Sequence, residues 1–307
     1  AGRLLAMTAL AATLAPPLSL GAQGDRPVPA TYAITNARLV TVSGAAIDRG
    51  TIVVRDGLIV AIGANVSVPA DARVIDGTGH TVYPGLIDAY STLGLRTAAP
   101  AQGGGFGGGG FGQPAPQRPA GAPNSTMPIG LQPEIRAVDQ LVDDFDFAPA
   151  HAAGITAALT APAGRTYEGQ SVVINLGGRD FSTMAVKTPV ALHVGFQGIG
   201  GGRYPGSLLG VFAALRQSLL DAQRYRAQQQ AYARNPRGMQ RPAFDPSLDA
   251  LQPVIAGTLP VVFRASTQRE IERALDMAKE FSLKAVIAGG SEAYKVADRL
   301  KAENVPV

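Results

Sequence analysis

Residues 81–95 read TVYPGLIDAYSTLGL. Tyr83-Pro84-Gly85 is turn chemistry, Leu86-Ile87 is a short apolar run, and Asp88, Tyr90, Ser91 and Thr92 stand at its far end. Polar side chains just past a buried strand are where a parallel barrel or an open α/β sheet carries its chemistry. The stretch therefore predicts an α/β fold with a site at the end of this strand.

Working outward toward the N-terminus, short strands and turns precede it. Tyr32 to Val40 alternates, Thr51-Ile52-Val53-Val54 follows a turn at Asp48-Arg49-Gly50, and Asp56-Gly57 is a hairpin signal before Leu58 to Gly63. Arg73 to Gly77 adds a further strand. This spacing predicts a small antiparallel β-sheet or half of a sandwich over residues 30–83.

The ordered residues Ile34, Asn36, Ala37, Leu39 and Val40, then Ile52, Val54, Asp56, Gly57, Ile59, Ala61, Ile62 and Gly63, then Val74, Ile75, Asp76, Gly77 and Gly79, resemble the N-terminal sandwich of the amidohydrolase family. Pro84-Gly85-Leu86-Ile87-Asp88 resembles the start of that family's first barrel strand, P-G-L/F-I-D-x-H-x-H. The resemblance is to the metal-dependent, imidazolonepropionase-like members. It implies metal-dependent hydrolysis of carbon–nitrogen bonds of the non-peptide, cyclic-amide type.

Downstream, residues 98–124 are a low-complexity Gly/Pro-rich insertion. They lack the Lys-Ser/Thr of a phosphate-binding loop and nothing in them builds a core. Glu134 to Asp143 has helical spacing, and the cluster Asp143-Asp144-Phe145-Asp146 lacks the spacing of a calcium loop and reads as a solvated helix end. Residues 151–159 resemble the family's helix-to-second-strand segment. Ser207 to Arg234 is one long helical pattern whose later half is polar, facing solvent or a partner. Leu259 to Val307 alternates strand, helix, strand and helix, with Ser266 as the cap of the helix 268–281. Repeated β-α units imply a parallel barrel.

The chain has 307 residues, 46% of them hydrophobic and only 16% charged. A net charge of +4 carried by scattered arginines does not make a nucleic-acid face. There is no cysteine, which excludes disulfides and thiolate chemistry, and only His80, His151 and His193 are available as imidazole ligands. Arg3, the apolar run 4–14 and the small-residue exit 19–22 read as a secretory signal peptide over residues 1–23. The apolar run is shorter than the ~20 residues a membrane span needs. A periplasmic or secreted location is expected. The start at Ala1 and the strand-like end at 304–307 suggest a fragment of a longer protein.

The expected fold class is thus α/β: an incomplete (β/α)8 TIM-type barrel over 84–307, preceded by the first part of a small antiparallel β-sandwich over 30–83. In the family, first-strand His-x-His and further histidines ending later strands hold zinc or another divalent metal. The metal lowers the pKa of bound water toward about 7. Here Tyr90 and Thr92 occupy the first pair. By the same resemblance Arg264 stands at the fifth-strand position and Gly289 at the sixth. The candidate pocket-lining set is Asp88, Tyr90, Thr92, His193, Arg264 and Gly289. No metal ligand and no cofactor is assigned.

A permanent guanidinium charge at a dication's position opposes metal binding and suits a small anion such as a carboxylate. His193, closing an apolar strand, is either a ligand or a hydrogen-bonded core residue. The leading expectation is a degenerate, exported amidohydrolase-family protein. It would act as a non-catalytic binding or pairing subunit, as a homo-oligomer or beside an active paralogue. Two alternatives stay open: an active hydrolase using His193, Asp88 and residues outside this chain, and an exported solute-binding protein.

Overall fold

The computed structural model describes residues 31–96, 125–127, 130–143, 145–178, 180–198 and 204–307. The expected signal peptide and the Gly/Pro-rich insertion lie outside the described residues, as does Asp144 of the acidic cluster. The chain divides into two units, residues 1–84 and 85–307.

In the first unit, β1 (Thr31–Leu39), β2 (Ile47–Arg55), β3 (Leu58–Gly63), β4 (Arg73–Asp76) and β5 (Thr81–Val82) form one sheet in the order β3-β2-β1-β4, with β5 also on β1. The β2–β3 hairpin turns on Asp56 (φ 50°) and Gly57 (φ 79°). Two positive φ values match the right-handed twist of the flanking strands. Ala37, Leu39 and Ile52 make the small core. Gly50 pairs with Ala37, and a Cβ on it would stand 2.6 Å from Leu39 Cδ1 and 3.0 Å from the Gly63 carbonyl, so a larger residue would have to displace its neighbours.

The expectation of a purely antiparallel sheet is corrected here: β4 and β5 both run parallel to β1. The reason is connectivity. The segment 64–72 carries the chain back past the hairpin, so β4 enters on the free side of β1 in β1's own direction. The apolar side chains Leu58, Ile59, Val60 and Ile62 of β3 are exposed.

In the second unit β6 (Leu86–Ser91), β7 (Ile155–Thr160), β9 (Val172–Asn175) and β10 (Ala185–Lys187) form a sheet in the order β10-β9-β7-β6. β6 and β7 are parallel; β9 and β10 are added antiparallel. A third sheet takes β8 (Tyr167–Gln170), β11 (Leu192–Gly195), β12 (Val261–Ala265) and β13 (Ala285–Gly289) in the order β13-β12-β11-β8. β11, β12 and β13 are parallel and β8 is antiparallel to β11. The architecture is mixed α/β with several sheets, and among the described residues the strands do not close into a barrel.

Short helices α1 (Ala148–Ala152) and α2 (Phe181–Met184) flank the β6–β7 sheet. The long α3 (Leu208–Arg234), α4 (Pro246–Ala250), α5 (Gln252–Ile255), α6 (Gln268–Phe281) and α7 (Ala297–Ala302) follow. One core gathers Leu215, Leu219, Phe263, Ile271, Leu275 and Ile287 from α3, α6, β12 and β13. A second holds Leu95, Leu141, Phe147 and Ile174.

The last turns of α3, residues 227–234, are mostly exposed, and the helix is anchored just before them. Tyr225 is buried, and Arg226 Nη2 donates to the Gln252 carbonyl at 2.8 Å. α6 begins at a capping box on Thr267, not Ser266: Glu270 N approaches Thr267 Oγ1 at 3.4 Å, and Glu270 Oε2 accepts from Thr267 N at 3.0 Å.

The helical spacing over 134–143 yields only one 3-10 turn, Ala137–Gln140. Its backbone is claimed elsewhere: the Ile135 carbonyl accepts from Gln170 N at 2.7 Å, and Leu141 bridges Leu95. Tertiary pairing overrides the local propensity. Residues 304–307 likewise form no strand, although the Pro306 carbonyl accepts from Ile287 N at 2.9 Å.

Candidate functional site

Three β-strands of the second unit converge on one buried acid. Glu168 sits on β8 with a side chain 0% exposed, an unusual place for a carboxylate. Arg264, next to last on β12, makes an ion pair with Glu168 through Nη2 and Oε1 and keeps 30% of its side chain exposed. Tyr90, on β6, donates its hydroxyl to Glu168 Oε2 at 3.2 Å.

β11 supplies the floor. His193 is 1% exposed, and its ring lies stacked against Tyr90 with centroids 5.6 Å apart and planes 23° apart. Among the described residues neither of its ring nitrogens has a hydrogen-bond partner. Two residues on, Gly195 pairs with Arg264 across the parallel ladder and leaves room for the ion pair.

The electrostatics follow from burial. Loss of water raises the Glu168 pKa above the usual carboxylate range, against the opposing pull of Arg264, the Tyr90 hydroxyl and the Gly164 backbone N–H. The Tyr90 phenol is pushed up to about 12, first by burial and then by the Glu168 charge, so it remains a donor at neutral pH. Burial alone brings His193 down to about 4, so its ring is neutral. Arg264 and Glu168 touch as an ion pair without an aligned hydrogen bond, as among the described residues neither Nη2 nor Oε1 has such a partner.

Of the residues expected from sequence, the structure brings together Tyr90, His193 and Arg264. Asp88 is half-buried and accepts from Tyr90 N at 3.1 Å through Oδ1, which fixes the local backbone rather than joining the buried acid. Thr92 is exposed beyond the end of β6. Gly289, also exposed, ends β13 at φ +95°, and a Cβ there would come 2.9 Å from Ser266 Oγ. Glu168 is the residue that sequence reasoning missed. Its only local signal is an acid set between Tyr167 and Gly169 ahead of an apolar strand.

A divalent metal does not fit this set. Among the described residues no three His, Asp or Glu side chains converge. One carboxylate, one imidazole and a phenol that holds its proton surround a guanidinium, which already supplies the positive charge. Arg264 is therefore not the bare cation that the sequence suggested.

Comparison with solved structures finds an amidohydrolase from Thermotoga maritima MSB8 at a TM-score of 0.71 and 22% identity, covering 90% of this chain and 69% of that one. A prolidase complexed with N-methylphosphonate-L-proline aligns at a TM-score of 0.39 and 13% identity, over 90% of this chain and 65% of its own. No family model matches the chain. No curated protein matches it. The first likeness shows an amidohydrolase-type fold. Among the described residues no helix is long and apolar enough to cross a membrane.

Proposed function

We propose that this chain is an exported amidohydrolase-family protein that has given up metal-dependent hydrolysis of C–N bonds and serves as a non-catalytic binding or pairing subunit. The observation that carries the reading is the Glu168–Arg264 pair, closed by the Tyr90 hydroxyl. A guanidinium held by a fully buried carboxylate fills with protein the place where the family's chemistry would need an exchangeable cation. Tyr90 in place of a histidine, and Gly289 at a backbone angle that disfavours one, support the same reading.

In this proposal β6, β7, β11, β12 and β13 are strands of a (β/α)8 barrel, and β1 to β5 are part of a β-sandwich. The parallel registers β6–β7 and β11–β12–β13, with α6 between β12 and β13, support the barrel. Export rests on the sequence of residues 1–23. A second copy of the chain or an active amidohydrolase paralogue would be the pairing partner.

The test is metal analysis of the full-length protein after incubation with zinc, together with assays on cyclic amides and dipeptides. The expected result is substoichiometric zinc and no hydrolysis. Near-stoichiometric zinc with turnover would overturn the proposal.

A further inference from the structure

Arg264 and Glu168 differ in how they meet the solvent. Arg264 keeps 30% of its side chain exposed, although its Nη2 is buried against the acid, while the Glu168 side chain keeps none. The part of the pair that meets water therefore belongs to Arg264 and not to the acid. Arg264 Nη2 and Glu168 Oε1 meet as charges without an aligned hydrogen bond. A guanidinium presents five N–H donors in a planar fork, and a carboxylate with two free oxygens satisfies that fork better than one oxygen of a buried acid.

Beside the pair, His193 is almost fully buried, and among the described residues both its ring nitrogens are unpartnered. A buried polar ring without a partner is costly and points to a polar group that the protein alone does not supply.

We propose that the site takes a small carboxylate together with one proton: the carboxylate claims the fork of Arg264, and Glu168, displaced from it, becomes a neutral acid. Charge balances in this exchange. One anion and one proton enter, the guanidinium keeps one counter-ion, and no bare charge is left in the core. Glu168 keeps its Tyr90 hydrogen bond in either state, since a hydroxyl donates to a carboxylate and to a carbonyl oxygen alike.

The groups that face Glu168 are compatible with this role. Arg264 comes from β12, Tyr90 from β6, and the Gly164 N–H from the segment before β8. β11 brings His193, stacked on Tyr90, and Asp88 on β6 is turned to the Tyr90 backbone. Burial already favours the protonated form of Glu168, so removal of its cation commits the proton to it.

This inference rests on the metal-free reading of the site, and the experiment separates the two. Acetate and N-acetylglycine are titrated into the full chain by calorimetry in two buffers of different ionisation enthalpy. Sodium chloride serves as the control anion and zinc chloride as a separate titrant. The expected result is uptake of close to one proton per carboxylate, with affinity rising about tenfold for each pH unit lowered while free Glu168 is ionised. Glu168→Gln is expected to bind the same probes at least about tenfold more tightly at neutral pH, with no proton uptake, because its Arg264 fork is free.

Carboxylate binding without proton uptake, binding no stronger than that of chloride, or no binding at all would overturn the inference. With zinc also unbound, any of those results leaves the metal-free reading standing. Stoichiometric zinc binding would overturn both. Because proton uptake is read on the wild-type chain, the test survives a Glu168→Gln variant that fails to fold.

Discussion

Gly195 lies opposite Arg264 in the β11–β12 ladder, and a Cβ at Gly195 would sit 3.2 Å from Arg264 Nη2 and 2.9 Å from Glu168 Oε1. The Arg165 carbonyl would be equally close, at 2.9 Å. The absence of a side chain on β11 is thus what lets a charged pair from β8 and β12 meet.

Gly195→Ala is accordingly expected to force the pair apart or shift the backbone, at a cost of about 1–3 kcal/mol. Urea unfolding of the variant measures it. Stability equal to wild type would show that the space beside the ion pair is not limiting.

Removing only the cation should be worse. Arg264→Met leaves Glu168 buried and unpaired, with an expected loss of about 3 kcal/mol, at the low end for a broken buried pair because Arg264 retains some water. The double variant Arg264→Met with Glu168→Leu should recover most of that loss. A double-mutant cycle by chemical denaturation gives the coupling, and additive losses would deny it.

His193 gives a pH dependence whose sign is fixed. Its folded pKa, about 4, lies below its ordinary value of 6.5, so in acid the unfolded chain takes up the proton first. The associated stability is present above about pH 6.5 and is lost as the pH falls toward about 4. Glu168, whose pKa is raised, acts in the opposite sense as pH rises above its unfolded value. Unfolding curves between those pH values should flatten in His193→Phe, and an unchanged slope would place the effect on other groups.

The double variant Tyr90→His, Thr92→His is expected not to bind zinc while Arg264 remains. Thr92 is exposed beyond β6, and Arg264 with Glu168 occupies the space inside. Tight zinc uptake by this variant would show that Arg264 does not stand where a first-strand pair would need its metal. The third member offers no simple repair, because a histidine at Gly289 would need a left-handed backbone against Ser266.

Legibility in the sequence was uneven for physical reasons. The α6 helix was visible in full, since its apolar spacing, its end and its capping residues are all local, although Thr267 rather than its neighbour holds the cap. The strand at Leu86–Ser91 was equally plain from its turn and apolar run, although Leu86 and Ile87 are exposed and not buried as expected. His193 could be singled out because it closes an apolar strand, and Tyr90 and Arg264 because the family resemblance sets them at ligand positions. Glu168 could not: it meets Arg264 96 positions later and Tyr90 78 positions earlier, and no local pattern reports that its side chain turns inward. The same gap made Arg264 look like a free charge. Residues 134–143 failed in the other direction, since good helical spacing gave way to pairing with distant strands.

β3 has a further consequence for handling the protein. Its outer side carries backbone groups with no neighbouring strand among the described residues, beside exposed Leu58, Ile59, Val60 and Ile62, and it contains no lysine or proline. Those are the residues that usually keep a sheet margin from recruiting another chain. At high concentration the purified polypeptide should lengthen its own sheet by intermolecular strand addition, and a single lysine in place of Val60 is the natural gatekeeper against it.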